Sequence, residues 1–225
     1  MSGYGATFPL WRDAAGPAWG AFTRHAFVEG LRDGSLPREA YGRYLAQDYL
    51  FLVHFARAWA LAVVKAETVE EMRAAAATVG ALLHEEMPLH VRTCAAEGLS
   101  EARLLAAEEA PETLAYTRYV LDAGHQGDLL DLLAALAPCV LGYGEIGLRL
   151  AREAGETPYA DWIATYGGEG YQRACREVGA LLDAAVARRL GAEPASSPRW
   201  PRLAHRFATA TRLEAGFWRM GLGTP

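Results

Sequence analysis

Lysine is almost missing from this sequence, and arginine carries nearly all of its 22 positive charges against 27 acidic residues, a net charge of −5. No run of Lys and Arg occurs, so the basic stripe that grips a phosphate backbone is missing, which argues against a nucleic-acid partner. Cysteine is scarce. Cys94, Cys139 and Cys175 are an odd number at wide spacing without a CxxC, which excludes a disulfide framework. The first seven residues show no basic region followed by an apolar run, and no stretch reaches the ~18 uncharged apolar residues of a membrane span. A reduced, soluble, cytoplasmic protein with no membrane partner is expected. Short alternating runs of Val, Ile and Thr are scarce, which leaves little room for strands. Walker and dinucleotide glycine patterns are absent. A zinc helix fails on spacing: His84-Glu85-Glu86-Met87-Pro88-Leu89-His90 has proline where HExxH needs its second histidine. No two Glu-x-x-His pairs exist for a di-iron bundle. His25 or His54 could ligate a haem iron, although a lone histidine on an apolar helix is more often a satisfied core residue.

What is present is globular and helical. Of 225 residues, 52% are hydrophobic and 22% charged, and Ala, Leu, Glu and Arg dominate. The length suits one domain, or at most two small ones, able to bury roughly 70% of its unfolded surface. A first helix is expected over about 17–32. Ser35 is expected to cap a long second helix that has Pro37 in its first turn and ends near Lys65. Thr68 and Glu71 form a capping box for a third helix, which Pro88 should kink or break. Further helices are expected from Pro111 to Gly124, over about 128–153 with Pro138 inside, from Thr157-Pro158 to Gly167-Gly168, over about 169–190, and from Ser197-Pro198 to about Met220. The expectation is one all-α domain of seven or eight helices over residues 1–225, its core at about 17–220. The apolar second and fifth helices should form the centre.

Four features could carry chemistry. Cys139 follows Pro138 inside a helix, where the lost i→i−4 bond bends the backbone and can aim the next side chain into a cavity. A thiol is nucleophilic only as the thiolate and needs a polar or electropositive neighbour. Tyr143, at i+4, could supply a hydroxyl. Core filling is the competing explanation. Glu214 lies among apolar and aromatic residues, where a raised pKa would make it a proton donor; Phe217, at i+3, could stack on a flat ligand. An exposed Glu beside Arg212 is the alternative. Asp48, on a helix otherwise apolar all round, must be paired or functional. Tyr116, Tyr143 and Tyr166 fall in separate helices in apolar settings, where hydroxyls seek partners; packing alone would explain each.

These segments together resemble the TenA, or thiaminase II, family. The resemblance runs from about His25 to Trp218. Its stretches, in order, are Leu45-Ala46-Gln47-Asp48-Tyr49, Tyr116-Thr117, Leu136-Ala137-Pro138-Cys139, Tyr143-Gly144-Glu145-Ile146-Gly147, Trp162-Ile163-Ala164-Thr165-Tyr166-Gly167-Gly168 and Glu214-Ala215-Gly216-Phe217-Trp218. The resemblance implies a compact, single-domain helical bundle of the haem-oxygenase-like type, assembled as a homotetramer. It also implies thiamin salvage without metal or organic cofactor. The reaction would be hydrolysis of 4-amino-5-aminomethyl-2-methylpyrimidine to the hydroxymethyl pyrimidine and ammonia, with thiamin a poorer substrate. By the same resemblance Cys139 is the nucleophile and Glu214 the proton donor to a ring nitrogen. Asp48 orients the ring, Tyr116, Tyr143 and Tyr166 contact the substrate, and Phe217 supplies a stacking face. Phe51 stands one turn after Asp48, where some relatives carry a tyrosine thought to assist the cysteine. Two other readings remain open: a haem- or quinone-precursor-binding oxidative protein on the same fold, and a non-enzymatic regulator.

Overall fold

The computed structural model describes residues 3–223, which form thirteen α-helices and no β-strand. The expected first helix is two, α2 (Pro17–Thr23) and α3 (Ala26–Asp33), and an unexpected α1 (Thr7–Ala15) precedes them. Its start is held from far along the chain: the Asp183 carboxylate accepts from the Ala6 and Thr7 amides at 2.7 and 2.8 Å. No local pattern shows such a cap. His25 separates α2 from α3 because its Nδ1 accepts from the Phe27 amide at 3.2 Å, an N-cap bond. Tyr4, Phe8 and Trp11 are buried, so the core begins well before residue 17.

The long second helix is α4 (Arg38–Lys65); Pro37 takes its N-cap position, and Ser35 makes no cap. Thr68 caps α5 (Val69–Ala81) as expected, accepting from the Glu71 amide at 3.1 Å; the Glu71 carboxylate returns to the Glu67 amide, one residue before the cap. Pro88 neither breaks nor sharply ends the chain's helical course. A π-helical turn, Leu82–Glu86, precedes α6 (Met87–Ala96) and absorbs the bond the proline cannot donate. After the short α7 (Glu101–Leu105) come α8 (Pro111–Gln126) and α9 (Leu129–Ala137). A second π turn, Pro138–Gly142, leads into α10 (Tyr143–Glu153). The chain closes with α11 (Ala160–Gly167), α12 (Glu169–Leu190) and α13 (Trp200–Leu222).

Every residue of α9 is buried, and α13 packs on α1, α2, α4, α8 and α9. The centre is therefore α4, α9 and α13, one helix more than expected. The run Leu129–Glu153 is, contrary to expectation, long and apolar enough by length and composition to cross a membrane, but 89% of its most apolar window is buried inside the fold. That apolarity serves the core. One continuous cluster of buried side chains, from Tyr4 to Met220, joins all of these helices; α2, α5, α6 and α7 contribute one buried member each, Phe22, Ala75, Cys94 and Leu104.

Candidate active site

Asp48 leaves the middle of α4 pointing inward, on a helix where almost every neighbour is apolar. Burial pushes its carboxyl up to about 7, against an ordinary 3.8. The Tyr44 hydroxyl, one turn earlier, donates to Oδ2 at 3.1 Å and accepts from the Trp162 indole at 3.2 Å. His90 of α6 brings Nδ1 to 3.6 Å from the same oxygen, while its Nε2 lies 2.8 Å from the Leu45 carbonyl. A carbonyl only accepts, so Nε2 carries the proton and a neutral ring turns a bare Nδ1 to Asp48. Burial lowers the His90 pKa and keeps the ring neutral. The Tyr44 bond favours the carboxylate and offsets the burial only in part, so Asp48 is poised to carry a proton near neutral pH, with the bare Nδ1 of His90 beside it.

Cys139 is the second residue of the π turn that Pro138 opens. It is only half-buried because its thiol faces a cavity of about 310 Å3. Asp48, Phe51, Tyr143 and Tyr166 line the same space. Glu214 of α13 sits behind the thiol. Its Oε1 accepts from the Tyr116 hydroxyl at 2.7 Å, and its carboxyl and the Cys139 thiol interact directly. Burial holds this carboxyl at about 8, against an ordinary 4.5, and the negative charge of Asp48 adds to the rise. Burial also pushes the Cys139 thiol well above its ordinary value, with Glu214, Asp48 and Glu86 reinforcing it. Of the polar or electropositive neighbours that could favour a thiolate, the described residues supply only polar ones, and the charged groups that act on the thiol are acids, so the resting group is a thiol.

The expected residues thus meet, in two layers. Cys139, Asp48, Phe51, Tyr143 and Tyr166 face the cavity, whereas Glu214 and Tyr116 form a buried pair behind the thiol. Tyr116 hydrogen-bonds the glutamate and not the cysteine. Phe217 departs from expectation. Its ring packs 5.7 Å from Phe51 and 6.1 Å from Tyr44, so it buttresses Phe51 and presents no face to the cavity. The aromatic wall facing the cavity is built by Phe51, Phe55, Tyr143, Tyr166 and Tyr171, with Tyr143 and Tyr166 centroids 5.1 Å apart. The histidines weighed as haem ligands are engaged elsewhere: His25 caps α3, and His54 pairs with Glu109 at 3.1 Å on the far side of α4.

Tyr44, His90 and Glu86 also belong to this site and were not singled out by the sequence. Tyr44 lies at i−4 from Asp48, a spacing that signals a partner on the same face. His90 and Glu86 come from the segment that fails as a zinc motif, and only tertiary contact brings it to α4.

Similarity to known proteins extends over most of the chain. A family model for TENA/THI-4/PQQC matches residues 12–224. The chain belongs to the TENA/THI-4/PQQC family. An aminopyrimidine aminohydrolase of Halalkalibacterium halodurans is 36% identical over 211 residues, which is 92% of each chain. A solved structure of a TenA family transcription regulator from Silicibacter sp. TM1040 is 65% identical, covers 99% of this chain and 98% of that one, and superposes with a TM-score of 0.97. The TenA homologue of P. horikoshii, at 24% identity over 96% of this chain and 98% of its own, shares the all-α fold with a TM-score of 0.86.

Proposed function

We propose that this TenA-family protein is a hydrolase of thiamin salvage that converts 4-amino-5-aminomethyl-2-methylpyrimidine to the hydroxymethyl pyrimidine and ammonia. The observation that carries this reading is the convergence of a cavity-facing thiol, a proton-bearing glutamic acid behind it and a proton-bearing aspartic acid across the cavity. A neutral Asp48 carboxyl can donate to a ring nitrogen and accept from the adjacent exocyclic amino group, a two-point recognition of a 4-aminopyrimidine. The ring lies among Phe51, Tyr143 and Tyr166.

Cys139 sulfur then adds to an electron-poor ring carbon. Glu214 gives its proton to the ring nitrogen and takes up the thiol proton. The net change is addition of S–H across a ring C=N bond, so no free thiolate has to exist among the acids. The electron-rich adduct expels the amine from the exocyclic methylene, water adds there, and the sulfur leaves as the thiol. Tyr116 holds the Glu214 carboxyl in place.

A homotetramer in the cytoplasm and a single domain over the whole chain complete the proposal. Light scattering should then give about four times the 24.4 kDa chain mass. The regulator named in the Silicibacter structure supplies the second reading. The test offers purified protein the aminomethyl pyrimidine and measures ammonia and hydroxymethyl pyrimidine together. Equimolar release is expected. Inertness toward both this substrate and thiamin, with salt-sensitive DNA binding in its place, would favour the regulator.

A further inference from the structure

A second cavity, of about 410 Å3, opens beside the first and is lined by Tyr41, Tyr44, His90, Thr93, Asp161 and Trp162, among others. The two cavities share four wall residues, Glu86, Leu89, Thr165 and Tyr166. Glu86 is the acidic residue of that common throat. It is the last residue of the Leu82–Glu86 π turn, the counterpart of the turn that carries Cys139. Its carboxylate makes no hydrogen bond or ion pair with any described residue, yet it lies close enough to Asp48, Cys139 and Tyr166 to act on the charge of each. Glu85 and Glu177, which also reach the inner cavity, are exposed to solvent. Glu86 is desolvated, and burial with the repulsion of Asp48 lifts its carboxyl to about 7. A half-buried acid without a protein partner, lining the throat common to both cavities and beside a second acid, is placed to receive a cation.

Resting on the pyrimidine reading above, the geometry points to Glu86 as the leaving-group subsite, which takes a substituent that is cationic before the bond breaks and neutral after it. The ring chemistry sets the direction. Asp48 engages the ring nitrogen and the amino group at ring position 4, and the reactive methylene is attached at the adjacent position 5. The neighbour of Asp48 that reaches the throat is Glu86. An aminomethyl group there is an ammonium ion; when the C–N bond breaks, its electron pair goes to nitrogen and neutral ammonia departs. A thiazolium leaves in the same way as a neutral thiazole. In both cases the carboxylate holds the charged reactant and loses its hold on the leaving group. The hydroxymethyl product is uncharged and gains nothing from Glu86, which favours its release. The outer cavity gives the leaving group its way out or, for thiamin, its room.

The test separates the subsite from the reading beneath it. Calorimetry on Cys139→Ser protein, which is not expected to turn over, gives the affinities of the aminomethyl and hydroxymethyl pyrimidines, with and without Glu86→Gln. The subsite predicts that E86Q weakens the aminomethyl compound about tenfold or more, the scale of one charge-assisted hydrogen bond, and changes the hydroxymethyl compound less than about twofold. Equal losses for both would make Glu86 a shape or folding residue, and no loss for either would leave the cation unbound there; either result overturns the subsite while the pyrimidine reading stands. Failure of C139S to bind either compound would overturn both. Glu86→Ala gives the same readout should E86Q not fold, since no ion pair of the fold ends on this carboxylate.

Discussion

Glu214 shows what burial does to a single residue. Its side chain is 1% exposed, and its carboxyl keeps its proton to about pH 8. Asp48 and Glu214 both act in their protonated forms, so kcat/KM should begin to fall as pH rises through about 7, where Asp48 ionises, and fall further through about 8, where Glu214 does. Glu214→Gln keeps the shape and can still accept from Tyr116, but has no proton to give. A kcat loss of about 10²–10⁴-fold is expected, the usual contribution of a general acid. A loss under tenfold would move the donor role elsewhere. Residue types and order in the chain made Cys139, Asp48, Glu214, Tyr143 and Tyr166 readable as a group. Layering was not readable. The sequence shows Phe217 three residues after Glu214 and so suggests a shared face, but the ring closes onto Phe51 because α13 lies behind α4 at that level. The protonation state of Cys139 was equally hidden, since it depends on three acids from three other elements.

At the scale of elements, the two π turns do the positioning. Each lies next to a proline whose missing N–H breaks the 3.6-residue ladder. Each carries a residue that faces the cavity, Glu86 on one and Cys139 on the other. Pro138→Ala restores the donor toward Ala134 and favours a regular helix, which rotates Cys139 away from Glu214. The melting temperature should stay or rise while kcat falls about 10–10²-fold, as misplacement by about 1 Å can cost. Unchanged kcat would mean that packing, not the proline, sets the turn. Close approach fixes the opposite wall: a Cβ on Gly147 would come within 2.3 Å of the Tyr166 carbonyl carbon, so α10 and α11 can touch only at glycine. Helix periodicity, Pro138 and the Gly167-Gly168 stop were legible. The break at His25 and the start of α1 were not, because one needs a backbone turn and the other a carboxylate 176 residues away.

The molecule as a whole carries the cost of keeping Asp48 and Glu214 buried. Unfolded, Glu214 ionises near 4.5; folded, it does so near 8. Between these values the folded chain holds a proton that the unfolded chain has lost, so rising pH favours unfolding and the contribution is fully lost above about 8. Lowered histidine pKa values act the other way below about 6.5, so the variant difference is the clean readout. The melting temperature of ligand-free E214Q minus that of wild type should grow from pH 5 to pH 8. A constant difference would contradict a raised Glu214 pKa. The fold class was legible from composition and periodicity; the third central helix was not, because α13 mixes charged outer residues with a buried face.

The central claim is that Cys139 attacks the pyrimidine ring. The most direct measurement compares ammonia and hydroxymethyl pyrimidine release by wild type and Cys139→Ser at equal enzyme and saturating aminomethyl pyrimidine. Wild-type turnover with a loss of at least about 10³-fold in the serine protein is the predicted result, since a hydroxyl is a far weaker nucleophile than sulfur at this position. Equal turnover in the two proteins would contradict the account and return Cys139 to the packing of the cavity wall.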